Sequence, residues 1–252
     1  MFLMGYGPQI LAGTWETIKL AVLSVTVSVV LGLVAASCKV FPTSRVLRSI
    51  ATLYTTIIRG IPDLVLLMLV FFTLQEFINT ITDHLTELSE LMLDSSLTWL
   101  HPIAAWVDIG YVDLSAFTTG VITLGFIYGA YFAETFRGAF LAVPAGQLEA
   151  AKAYGMKPWN SFRRVLFPQM LRHALPGLGN NWQVLLKATA LVSLVGLNDM
   201  VKVAQNAGAV THHPFTFMVT VGVIYLALTT LSNGVLYALH RRYGVGVARP
   251  QL

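Results

Sequence analysis

Four ionisable side chains stand inside long apolar runs: Arg59 and Asp63 in "IIRGIPDLVLLMLVFF", Glu134 in "GFIYGAYFAETFRG" and Lys187 in "LLKATALVSLV". A charge at the centre of a bilayer costs about 2.5–3.5 kcal/mol on insertion scales, so such groups either pair with one another or face a polar pathway. A carboxylate can hold a substrate's ammonium or guanidinium, and a cation can hold its carboxylate. Arg59 and Asp63 are four apart and could meet on one helix face. Gly60 and Pro62 between them predict a kink, and a broken helix frees backbone groups that can bind either end of an amino acid. The other reading is an Arg59–Asp63 or Arg59–Glu134 ion pair that only holds helices together, and the sequence leaves both open. Glu134, three residues before Arg137, reads as an interhelical or loop-supporting residue. Lys187 has no carboxylate in its own run and needs a partner elsewhere.

A second group lies in "EAAKAYGMKPWNSFRRVLFP", Glu149 to Pro168, a polar and basic island between apolar runs. Glu149 precedes the small residues Ala150, Ala151 and Ala153, which together with Tyr154 make a compact knob. Gly155 permits a sharp turn, and Pro158 can open a second helical stretch. Small residues let another backbone come close. An amphipathic loop that only fixes membrane topology remains the alternative. The adjacent His212 and His213 have no nearby cysteine or carboxylate and make weak metal ligands. The single cysteine, Cys38, reads as a small apolar residue. No Ser/His/Asp or Cys/His set suggests a nucleophilic enzyme.

These residues must be positioned by membrane helices. The 252-residue chain is 56% hydrophobic and 11% charged, against about 25% charged in soluble domains. With a mean hydropathy of +0.69 and several runs near the ~20 residues that cross a bilayer, it reads as an all-α polytopic membrane protein. Five transmembrane helices are expected, over about 14–36, 50–77, 116–136, 178–197 and 215–239, in one membrane domain covering 1–252. Between the second and third lies segment 79–115, with Asp83, Glu87, Glu90, Asp94, Asp108 and Asp113 but no Lys or Arg. It reads as external, with a short interfacial helix that puts Trp99 and Trp106 at headgroup depth. Lys and Arg instead follow spans one, three and five: Lys39, Arg45 and Arg48, then Arg137 to Arg172, then Arg241, Arg242 and Arg249. The positive-inside rule then gives an outer N-terminus, a cytoplasmic C-terminus and a cytoplasmic loop at 137–173. The N-terminus lacks the basic region and cleavage site of a secretory signal. The pI of about 9.3 reflects this loop charge, and the absence of a continuous basic stripe argues against nucleic acid.

The pattern Glu149-Ala150-Ala151, three residues, Gly155, nine residues, Val165, then Phe167-Pro168 resembles the EAA loop of membrane subunits of ABC importers. Val165 and Phe167 replace the isoleucine and leucine usual there. Further stretches, "ITLGFIYGAYFAETFRGAFLAVPAGQLEAAKAYG", "LPGLGNNWQVLLKATALVSLVGL" and "SNGVLYALHRRYGVGV", resemble the polar amino-acid branch, most closely the Q-type subunits of histidine and lysine/arginine/ornithine importers. The resemblance is poor around Asp83 to Asp113. "KATAL" at Lys187 to Leu191 also lacks the carboxylate of the KDTSL found in many relatives.

The resemblance implies a type I ABC importer permease fold in a bacterial inner membrane. It implies half of a pathway for a polar, basic amino acid, with Arg59, Asp63, Glu134 and Lys187 as candidate pathway residues. Glu149, Ala150, Ala151, Gly155 and Pro168 would couple the chain to an ATPase. Implied partners are a second homologous permease, two cytoplasmic ATPase subunits, an external substrate-binding protein and membrane lipid. No G-x-x-x-x-G-K-[ST] loop occurs in this chain, so ATP and Mg belong to the partner ATPase and no cofactor is expected here. A secondary transporter or channel using the intramembrane charges as an ion relay is the competing reading. Such proteins more often show inverted repeats, and none is found.

Overall fold

The computed structural model describes residues 2–41, 44–94, 99, 112 and 114–243. Its helices are α1 (Gly7–Val40), α2 (Arg45–Gly60), α3 (Asp63–Leu93), α4 (Ala116–Leu141), α5 (Ala145–Ala153), α6 (Pro158–Ser161), α7 (Phe167–Val192), α8 (Met200–Thr211) and α9 (Pro214–Tyr243). A π-type turn, Phe162–Leu166, joins α6 to α7. Among the described residues, α1, α3, α4 and Pro214–Leu239 of α9 are long and apolar enough to cross a membrane. Pro158–Val195 and Met200–Thr211, bent by 52° at a short break, raise the number to as many as five. The molecule is an all-α polytopic membrane protein.

The core forms where α1 and α4 lie side by side. A Cβ added at Gly125 would come within 2.5 Å of Val27 Cγ1, and one at Gly32 within 2.6 Å of Phe132 Cβ and 3.0 Å of the Ala133 amide nitrogen. Apolar side chains gain little from leaving lipid, so membrane helices associate through close packing of this kind. The matches Val27–Gly125 and Gly32–Phe132 advance in the same direction along both helices, so α1 and α4 are parallel. An odd number of crossings must separate them, and α3 supplies one. By the same test α7 is antiparallel to α4, since Gly177 meets Thr135 while Val192 meets Gly120. Likewise α9 is antiparallel to α7, through Gly179 against Leu236 and Thr189 against Tyr225.

The helix bounds correct the expected spans at several points. The run 50–77 is not one helix: the chain leaves helical geometry at Ile61 (φ −107°, ψ 142°) and Pro62 (φ −57°, ψ 134°). The Pro62 ring disfavours helix at the residue before it. Beyond the break α3 continues to Leu93, so the first part of the segment 79–115 extends the second span instead of forming a separate interfacial helix. Trp99 is exposed, while Trp106, Asp108 and Asp113 lie outside the described residues, as does Arg249. The loop expected at 137–173 is shorter, because α4 runs to Leu141 and α7 begins at Phe167. The run 178–197 is the second part of α7, which ends at Val192. Asp199 then caps α8, accepting the Lys202 amide at 2.9 Å. This fully buried carboxylate was not singled out in the sequence.

Candidate functional site

The polar residues form two groups on the fold. The first gathers where α1, α2, α3 and α4 meet. Glu134 is its centre: Oε1 accepts from Lys39 Nζ at 2.5 Å, Oε2 accepts from Arg137 Nε at 2.8 Å, and Arg59 lies 4.0 Å away. Lys39 also donates to Thr55 Oγ1 at 2.5 Å. Its side chain is 9% exposed and that of Glu134 is 18% exposed, so this is a largely desolvated pair. Lys39 was read in the sequence as a topology charge after span one, yet its long side chain reaches back into the bundle.

Asp63 does not pair with Arg59. The break after Gly60 takes the two residues off a common helix face, and Asp63 opens α3 while Arg59 closes α2. The Asp63 carboxylate instead accepts from the Tyr131 hydroxyl at 3.0 Å and the Tyr128 hydroxyl at 3.1 Å. The two phenol rings stack at 5.4 Å, and the Arg59 guanidinium lies 5.7 Å from the Tyr131 ring centroid, a cation–π distance. Tyr128, Tyr131 and Glu134 stand at i, i+3 and i+6 on α4. That polar stripe in an apolar run was the available signal for the two tyrosines. Arg59, Asp63 and Glu134 are thus neighbours.

Lys187 stands apart. It is exposed on α7 and has no ion pair or hydrogen bond among the described residues. On the same side of α7 lie Asn180 and Gln183, and Gln183 donates to Asn233 of α9. These amides, with Pro176, Gly179 and Tyr237, line an open cleft of about 450 Å³.

The second group is the island. The α5 helix ends in two overlapping bonds, Gly155 N–H to the Lys152 carbonyl at 2.9 Å and Met156 N–H to the Ala151 carbonyl at 3.0 Å. This Schellman closure requires a left-handed residue, which Gly155 supplies at φ +72°. Glu149, Ala150 and Ala153 are exposed, and Tyr154 is 89% exposed. Ala151 is different: at 5% exposure it packs inward, so within the knob Ala150 and Ala153 face outward and Ala151 does not. Trp159 is exposed and stacks on Phe162 at 5.7 Å. Phe162 in turn meets Phe41 at the end of α1, and Phe41 meets Phe140 near the end of α4. The island is therefore joined mechanically to the same ends of the two core helices. Pro168, exposed in the first turn of α7, starts the helix that carries Lys187. Arg163 and Arg164, also exposed, add positive charge to this end. Among the described residues no group of three or more His, Cys, Asp or Glu could hold a metal.

Comparison with known proteins gives this geometry a family. Residues 28–245 match the family "Binding-protein-dependent transport system inner membrane component". The chain is 51% identical over 250 residues to the histidine/lysine/arginine/ornithine transport system permease protein HisQ of Salmonella typhimurium, covering 99% of this chain and 100% of that one. It is 49% identical over the same length, with the same coverage, to HisQ of Escherichia coli K12. A solved structure described as an amino acid ABC transporter with histidines superposes with a TM-score of 0.72 at 30% identity, covering 96% of this chain and 98% of that one. Permeases of this family are not catalytic, and ATP hydrolysis resides on a separate subunit. The chain belongs to the binding-protein-dependent inner-membrane components, as a permease subunit of the polar and basic amino-acid ABC importers.

Proposed function

We propose that this chain forms half of an alternating-access pathway for a basic amino acid, of the histidine, lysine, arginine or ornithine type, and that ATPases bound at the island drive it. The observation that carries this reading is the joining of two features in one chain. Exposed polar groups open on the membrane-embedded α7, and a rigid, aromatic, basic island is linked through Phe162, Phe41 and Phe140 to the helices that hold the Glu134 group. In this reading Asp63 and Lys187 face the pathway, while Arg59 and Glu134 position its wall. Glu149, Ala150 and Gly155 form the coupling surface, Ala151 anchors it from within, and Pro168 starts the helix that carries motion to Lys187.

The partners are a second homologous permease, which supplies the missing half of the pathway, two cytoplasmic ATPase subunits holding ATP and Mg, and an external substrate-binding protein. The N-terminus lies outside and the C-terminus inside, as the distribution of Lys and Arg favours. The test is uptake of labelled histidine, lysine, arginine and ornithine into proteoliposomes containing the complex that co-purifies with this chain. ATP-dependent uptake of at least one, stimulated by its binding protein, is expected. Uptake driven by an ion gradient without ATP would overturn the reading.

A further inference from the structure

The α2 helix presents three distinct faces. Ala51, Thr55 and Ile58 are buried against the bundle. Leu47, Ile50, Leu53 and Ile57 are exposed and apolar, and with Leu31, Val34 and Phe126 they line an open groove whose walls are almost wholly apolar. The third face is exposed and polar: Arg45, Ser49, Thr52, Thr56 and Arg59 recur at i, i+4, i+7, i+11 and i+14, a single stripe along one side. Thr52 donates to the Arg48 carbonyl at 2.8 Å, whereas the hydroxyls of Ser49 and Thr56 have no partner among the described residues.

The helix also lies at membrane depth. It starts beyond the island end of α1, and Asp63, three residues after its end, meets Tyr128 and Tyr131 midway along α4. The stripe therefore climbs roughly 21 Å from the island side to the bilayer middle at 1.5 Å per residue. Lipid can cover the apolar face. It covers poorly a face that carries Arg59 near mid-depth above the hydroxyls of Ser49, Thr52 and Thr56, since charged and polar groups facing lipid are costly, whereas Arg45 lies beyond the ~15 Å half-thickness of the hydrocarbon.

Building on the transport reading above, we infer that this stripe lines a water-filled vestibule on the island side, through which the amino acid leaves. Its occupants are water and the ammonium and carboxylate groups of the substrate. Hydroxyls without a fixed countercharge offer weak, exchangeable hydrogen bonds, which suits release because a site must be weak enough to leave. Arg59, partly neutralised by Glu134, sits where the vestibule meets the Asp63 cluster.

The test places single cysteines at positions 49, 52 and 56, and at 50, 53 and 57, in a C38S background of the full complex. Inside-out vesicles are treated with a membrane-impermeant methanethiosulfonate reagent. Thiols react as thiolates, and apolar surroundings suppress ionisation by about tenfold per unit of raised pKa. The expected pattern is modification at 49, 52 and 56 at least about tenfold faster than at 50, 53 and 57. Equal rates, or faster reaction of the apolar set, would overturn the inference. So would reaction of 49, 52 and 56 in the isolated subunit but not in the complex, which would show a partner chain covering the face. ATP-driven uptake by the same variants, reconstituted in proteoliposomes loaded with ATP, separates the two levels. Normal uptake with a failed cysteine pattern removes only the vestibule, whereas a correct pattern without basic amino-acid uptake removes only the substrate reading.

Discussion

Glu134 and Lys187 face the same physical problem and meet it in opposite ways. Glu134 draws Lys39, Arg59 and Arg137 around one carboxylate, so three cations from three helices share a single countercharge within the chain. Lys187 also lies within a long membrane helix, yet among the described residues nothing neutralises it. The first arrangement holds helices in place. The second leaves a charge that no described residue compensates, which the transport reading assigns to a substrate or a second subunit. The difference separates residues whose loss should be felt in stability from those whose loss should be felt in transport, and substitutions can sharpen or break it.

The largest effect is expected at Gly32, which sets the spacing between the helices carrying Lys39 and Glu134. In Gly32→Leu the new Cβ would lie 2.6 Å from Phe132 Cβ and 3.0 Å from a backbone nitrogen. The backbone cannot swing aside as a side chain can, so the cost should reach or exceed the upper end of the ~1–3 kcal/mol usual for overpacking. Little folded complex should survive detergent extraction. Normal recovery would show that α1 and α4 are not held this closely.

Next comes Glu134→Gln, which leaves Lys39 desolvated without its countercharge. Breaking a buried pair on one side costs about 3–5 kcal/mol, and the residual exposure of both side chains places this case at or below the lower end. Thermal unfolding of the purified complex should shift down, and adding Lys39→Met should recover part of the loss. An unchanged midpoint for Glu134→Gln alone would remove the stabilising half of the comparison.

A smaller effect is expected at Gly155. A Cβ there meets no atom within 4 Å, so Gly155→Ala acts only through the left-handed backbone and should cost about 1 kcal/mol. Gly155→Asn, which tolerates that conformation better, should be milder. The readout is the amount of ATPase that co-purifies with the chain. Equal losses for Ala and Asn would mean that the turn conformation is not what matters.

Much of this was legible in the sequence, for identifiable reasons. Apolar runs are long-range signals that survive without knowledge of contacts, so the membrane class and the order of the crossings could be read directly. Gly60 and Pro62 announced the break in the second span, and Gly155 announced its turn. The extension of α3 to Leu93 was less readable, because residues 79–93 have a period that suits an interfacial helix as well as the end of a long one. The partners of Asp63 depend on how two spans cross, a relation between residues 65 and 68 positions apart that local pattern does not encode. The inward turn of Ala151 was unreadable for a related reason. Five small or polar residues in a row do not say which of them turns inward.

The most direct test of the account is ATP-driven uptake of a basic amino acid per assembled complex in Lys187→Met. The substitution removes a charge that makes no ion pair or hydrogen bond among the described residues, so the complex should form in normal amount and with an unchanged unfolding midpoint. Uptake should nevertheless fall, by about tenfold for each 1.4 kcal/mol of interaction lost with the substrate or its path. Normal uptake by a normally assembled complex would contradict the account and leave Lys187 as an exposed charge without a role in the pathway.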